Sequence, residues 1–199
     1  MIGLKKSLTL ISPHKWLNVN EVTQWVKTRD ESDQRFVVLL AFLYGFLRVL
    51  SWSSWVGDVI ARLLFATLVG PILGFGVLIV GGGILNWAVR IFGGRGEVED
   101  TRAAMHLAGL PLLWVMALGL ANEALAAMLG LGSDTAVTTA TILVGLWLLG
   151  LGWSLWLLVA TLSRAHETTG VRAFAGISFA AGLAAMPLFM CAYPIVVGY

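Results

Sequence analysis

Charge is scarce along this chain. Of its 199 residues, 12% are Asp, Glu, Lys or Arg, about half of the roughly 25% typical of a soluble domain. So few charges cannot hydrate a whole protein surface, which excludes the ordinary soluble class and points to the membrane. The formal net charge of +2 is too small for a reader of phosphate backbones, so no nucleic-acid partner is expected. Cysteine occurs once, at Cys191, which excludes an internal disulfide and any CxxC zinc site. Histidine is limited to His14, His106 and His166, and none has a second ligand at metal-binding spacing. HExxH, GxSxG and a supported Ser-His-Asp set are missing too. The sequence therefore offers no catalytic residue, no metal site and no cofactor, and the expectation is that the protein is not an enzyme. The N-terminal MIGLKKSLTLISPHKW is too short and polar for a signal-peptide core and has no small-residue cleavage pattern, so these residues are expected to stay in the mature protein.

Long apolar runs are what the chain has instead. Hydrophobic residues make up 58%, and the mean hydropathy is +0.86. About 20 apolar residues cross the hydrocarbon as a helix, and five segments qualify: 36–54, 64–90, 103–126, 136–162 and 173–197. The first is the weakest because it contains Arg48. Residues 55–64, with Asp58 and Arg62, read as an outer loop or interfacial turn. The fold class is an all-α polytopic membrane bundle: a tail at 1–35 with an amphipathic segment, then a five-span domain at 36–199. In that segment, Trp16, Val19, Val22, Trp25 and Val26 recur every three or four residues, which predicts a short helix lying on the inner leaflet, capped by Asn18 or Asn20. The mixed-sign run 27–35 reads as a solvated linker.

Basic residues set the orientation. Lys5, Lys6, Lys15, Lys27, Arg29 and Arg35 lie in the tail, Arg90, Arg95 and Arg102 near the second turn, and Arg164 and Arg172 near the fourth. Only Arg48 and Arg62 fall on the other side. Eleven against two predicts a cytoplasmic N-terminus and, after five crossings, an external C-terminus. Trp52 and Trp55 at the outer end of the first span, and Trp87 at the inner end of the second, occupy belt positions. Trp147, Trp153 and Trp156 lie deeper and read as packing or lipid contacts.

A few residues invite a functional reading. Charges inside a bilayer are costly and therefore functional candidates; Arg48 and Glu123 are the two, with Asn122 beside the second. Snorkelling of Arg48 or a structural Arg48–Glu123 pair competes with a proton or ion path. His106 lies one turn after Arg102, near the cytoplasmic face. Gly70, Gly74 and Gly81 share one helical face, as in small-xxx-small packing. Pro71, Pro111, Pro187 and Pro194 can kink their spans.

The stretch IFGGRGEVEDTRAAMHLAGLP at 91–111 lacks the GxxxxGK[ST] pattern of a phosphate loop. Gly93, Gly94 and Gly96 are expected to end the second span in left-handed conformations, with Glu97, Glu99 and Asp100 opening the third against its helix dipole. With Arg95, Asp100-Thr101 and Pro111, and with SPHKW at 12–16, this stretch resembles the Yip (Ypt-interacting protein) domain family over about residues 12–199. The resemblance implies an integral membrane protein with a cytoplasmic N-terminus. Eukaryotic members act in vesicle traffic and bind Rab GTPases, but this chain lacks their Asp-Leu-aromatic-Gly-Pro tract, and His106-Leu107-Ala108-Gly109-Leu110-Pro111 replaces their Gly-Tyr-Ser before the third-span proline. It is closer to a bacterial inner-membrane type. The partners expected are the lipid bilayer and, with room at the tail and loops, a protein. A non-enzymatic membrane organiser or scaffold is favoured by few buried charges and abundant small-residue packing; the alternative is a small transporter or channel using Arg48 and Glu123.

Overall fold

The computed structural model describes residues 18–53, 57–129 and 133–197. The SPHKW element, His14, Trp16 and Trp55 lie outside the described residues, as do the side chains of Pro187, Cys191 and Pro194. The described chain is helical, with no strand among the described residues. Its α-helices are α1 (Val19–Thr28), α2 (Glu31–Trp52), α3 (Val59–Gly76), α4 (Gly82–Ile91), α5 (Val98–Ala108), α6 (Leu110–Leu129), α7 (Ser133–Ala165) and α8 (Gly170–Val197). A π-helical turn, Val77–Gly81, joins α3 to α4 without a break. Among the described residues, four stretches are long and apolar enough to cross a membrane: Asp33–Trp52, Val59–Ile91, Val98–Ala126 and Thr141–Ala165. The fifth expected segment falls on α8, where Gly170–Ala185 forms a shorter apolar stretch. Leu148, Leu149, Trp156 and many other large apolar side chains of α7 point outward, as they do in a protein solvated by lipid.

Helix starts follow local capping chemistry. The Asn18 side chain accepts from the Glu21 N–H at 3.4 Å, so Asn18 caps α1. Asp30 and Asp33 form a reciprocal capping box at the start of α2, each carboxylate accepting the other's backbone N–H at 2.9 and 3.2 Å. The run 27–35 is therefore helix ends and caps and not a linker; most of its residues are exposed, as expected, but Asp33 is buried and the Arg29 side chain is largely covered. Asp58 likewise accepts the Ala61 N–H at 2.7 Å and starts α3, so residues 59–64, expected as loop, are helical. Polarity there marks a helix cap, not a turn.

α1 is amphipathic as expected, but its stripe is turned inward. Val19, Val22, Trp25 and Val26 are buried against α5 and α7, and Trp25 meets Phe36 of α2 edge-to-face at 6.0 Å. Protein covers the face that the sequence assigned to the leaflet.

α2 and α3 form the closest pair in the bundle. A Cβ on Gly45 would sit 1.9 Å from the Gly70 carbonyl oxygen, and one on Gly74 would sit 2.0 Å from the Ala41 oxygen. Only glycines permit this approach, which supplies dispersion contacts where lipid offers no hydrophobic drive between helices. Gly70 and Gly74 thus do what the spacing predicts, with Gly45 as their partner. Gly81 does not join them; a Cβ there would meet only Val77 Cγ1 of its own turn, at 3.7 Å. It ends the π turn, whose extra residue rotates it off the face an unbroken α-helix would give. The uninterrupted run Val59–Ile91 has 33 residues and is about 50 Å long at the α-helical rise. It exceeds the hydrocarbon thickness of roughly 30 Å, so the helix must lean or reach past the hydrocarbon at one end.

Gly45→Ala should destabilise the protein by about 1–3 kcal/mol or more, through overpacking against backbone. Gly76→Ala, with nothing within 4 Å, should be neutral or stabilise by about 0.5–1 kcal/mol. Heating in detergent followed by size-exclusion chromatography would separate the two; equal melting points would contradict the close-approach argument.

Candidate functional site

The α4–α5 loop closes over the α7–α8 turn. Gly93 has a φ of +92°, and its N–H donates to the Arg90 carbonyl at 2.9 Å; this is the one glycine of the loop that uses left-handed space. Gly94 and Gly96 serve a different purpose. A Cβ on Gly94 would lie 2.9 Å from Nδ1 of His166, and one on Gly96 would lie 2.7–2.9 Å from ring atoms of the same imidazole. The two glycines make room for His166, which is fully buried.

Each polar atom of that histidine is engaged. Its carbonyl accepts the Arg95 N–H at 3.0 Å, and Nδ1 accepts the Gly96 N–H at 3.1 Å. The proton therefore resides on Nε2, which donates to Thr101 Oγ1 at 2.7 Å. The Thr101 hydroxyl passes its own proton on to Asn86 Oδ1 at 3.0 Å, with the Glu97 carbonyl at 3.2 Å as a second acceptor. Arg90 closes the ring by donating Nε and Nη2 to the Gly96 carbonyl at 3.3 and 3.1 Å. Burial holds the His166 pKa below the ordinary 6.5, the charge of Asp100 opposes this, and that of Arg90 reinforces it. The fixed tautomer agrees, since a second proton on Nδ1 would face the Gly96 N–H.

α1 is fastened onto the same junction. Arg29, just past its end, binds Asp100 in the first turn of α5 and the Val26 carbonyl; the side chains of Arg29 and Asp100 are mostly buried. Arg164 of α7 donates to Asn20 at 2.6 Å, and Lys27 lies 3.6 Å from Glu167. Glu167 itself adopts a φ of +52°, the left-handed residue that ends α7. The loop residues Gly93, Gly94, Arg95, Gly96, Glu97, Asp100 and Thr101 thus all gather here, whereas Pro111 lies at the α5–α6 break, away from the junction. His166, Asn86 and Arg29 complete the set and were not legible from spacing; Gly96 and His166 are 70 residues apart.

The remaining candidates lie elsewhere. His106 is buried on α5, with Nδ1 3.0 Å from the Arg102 carbonyl. At the opposite end of the bundle, Glu123 is gripped by Arg62 through two bonds of 2.9 and 3.2 Å, and Arg62 Nε also donates to the Leu50 carbonyl at 2.9 Å. Among the described residues, then, the partner of Glu123 is Arg62 and not Arg48. Arg48 and Glu123 do line a common cavity of about 330 Å³, and Asn122 is half-buried beside them. Among the described residues, no three His, Cys, Asp or Glu side chains could share a metal ion.

The Yip1 domain family model matches residues 10–192, nearly the whole chain. No curated protein and no solved structure matches it.

The junction should weaken in acid. Above about pH 6.5 the histidine is neutral whether the junction is closed or open. As pH falls below that, the open form binds a proton that the closed form resists, so stability is lost down to the depressed folded pKa, at about 1.4 kcal/mol for each unit of difference. His166→Asn keeps an acceptor near Nδ1 but does not titrate, and should flatten this slope. Amide exchange at Gly96, followed from about pH 8 to about pH 5 and corrected for intrinsic rates, is the measurement.

Proposed function

The chain belongs to the Yip1 domain family, and from that membership we propose a non-enzymatic membrane organiser with five spans, set in a bacterial inner membrane with its N-terminus in the cytoplasm. One observation carries the reading: the family-like loop is spent on structure. Its glycines house an imidazole, its threonine relays a hydrogen bond, and its aspartate binds an arginine. These groups are committed to one another, and the result is a rigid platform of α1, the α4–α5 loop and the α7–α8 turn. Such a platform suits holding a protein partner at the membrane surface, because a pre-formed face loses little conformational entropy on binding. The excess of Lys and Arg at this end supports its cytoplasmic location.

The transport alternative draws on the cavity shared by Arg48 and Glu123. Against it stands the Arg62–Glu123 fork, which commits the carboxylate to a structural pair.

Complementation of a defined deletion phenotype separates the readings. Thr101→Val leaves His166 Nε2 and Asn86 without their shared partner, a loss of about 1–3 kcal/mol for each buried group. It should abolish complementation while the protein still reaches the membrane. Arg48→Gln and Glu123→Gln should complement fully; the reverse pattern would transfer the case to transport. A C-terminal alkaline phosphatase fusion should be active, as an external C-terminus requires.

A further inference from the structure

A second cavity, of about 280 Å³, lies inside the bundle where α5 gives way to α6. The break has a local cause. Pro111 has no N–H for the Leu107 carbonyl, and Gly109 contributes no side chain, so α5 gives way to α6 at the single residue Gly109, which keeps a right-handed helical conformation. α2 closes one side with Leu40 and Tyr44, and α7 closes the other. No Asp, Glu, Lys or Arg lines this space.

Three polar side chains line it, Tyr44, His106 and Ser154, and the last two carry the argument. Ser154 is 7% exposed, and its hydroxyl is buried without a hydrogen-bond partner. An unmade bond of this kind costs free energy that a partner in the cavity would recover. His106 is 6% exposed; its Nδ1 faces the Arg102 carbonyl and must carry the proton, which leaves Nε2 as an acceptor. A hydroxyl ligand has the chemistry for both, a proton to give to Nε2 and an oxygen to receive one from Ser154. The rim residues Leu151 and Leu155 are exposed on α7, along a helix whose surroundings are the hydrocarbon. Entry is therefore from the bilayer. At about 30 Å³ per water-sized group, the space holds roughly nine of them, a short length of chain behind one head.

We propose that this cavity binds a neutral lipid with a free hydroxyl, held by Ser154 and His106, with its apolar tail leaving between α6 and α7. A phosphate head is excluded because no cation in the lining would offset its charge. The inference is independent of the platform reading, since it uses none of the junction residues.

The test is photolabelling of the purified protein in nanodiscs with a diazirine-bearing long-chain alcohol, its methyl ether and a diazirine phospholipid of the same chain. The alcohol should label saturably, with the adduct mapped to α5–α6 or α7. The methyl ether should label about threefold to tenfold less, the loss expected for one hydrogen bond. Ser154→Ala should weaken alcohol labelling by a similar factor while leaving lipid-free thermal stability unchanged or higher, because it removes an unpartnered hydroxyl. His106→Leu should act likewise, with rescue by His106→Gln. Equal labelling by alcohol, ether and phospholipid, or labelling indifferent to Ser154→Ala, would overturn the proposal. If His106→Leu does not fold, the ether comparison and Ser154→Ala still decide it.

Discussion

The packing of His166 depends on its ring staying neutral, because the Gly96 N–H occupies the nitrogen that a second proton would need. From this one requirement the loop end of the molecule follows. Gly94 and Gly96 must lack side chains to admit the ring, Gly93 must turn the chain toward it, and Thr101 must offer an oxygen to the protonated nitrogen. Asn86 then receives the relay from Thr101, which ties α4 to α5. Each link is an ordinary hydrogen bond, but all are buried, so losing one leaves others unpaired.

The membrane part of the bundle relies on a different device. Lipid tails are as apolar as leucine, so helices gain little by hiding apolar surface from them. Contact must come from close fit, and the fit of Gly45 against Gly70 and Gly74 brings two backbones within carbonyl reach of each other. Where α3 continues past this contact, the π turn resets its face so that α4 can present Leu85 and Val89 to α7 and α8.

Much of this architecture was legible because it is local. Apolar runs, the stripe of α1 and the acids opening α5 are written within single segments, and the family-like loop was readable as a helix-to-helix turn. Misreadings came where a polar residue had a partner far along the chain. Arg62 suggested a loop until Glu123, 61 residues away, took its charge. Arg29 suggested solvent until Asp100 buried it. His166 looked like one more lone histidine, since no spacing rule connects it to Gly96. Gly81 differs for a converse reason: a constant helical period puts it on the face of Gly70 and Gly74, and one π turn takes it off.

The length of the α3–α4 run has a mechanical meaning. A helix that outreaches the hydrocarbon adjusts to a thinner bilayer by leaning and to a thicker one by standing upright, at fractions of a kcal/mol per Å of mismatch. Here that helix is continuous through the π turn to Arg90, and Arg90 holds the Gly96 carbonyl. Bilayer thickness and the geometry of the histidine junction are thus two ends of the same strut.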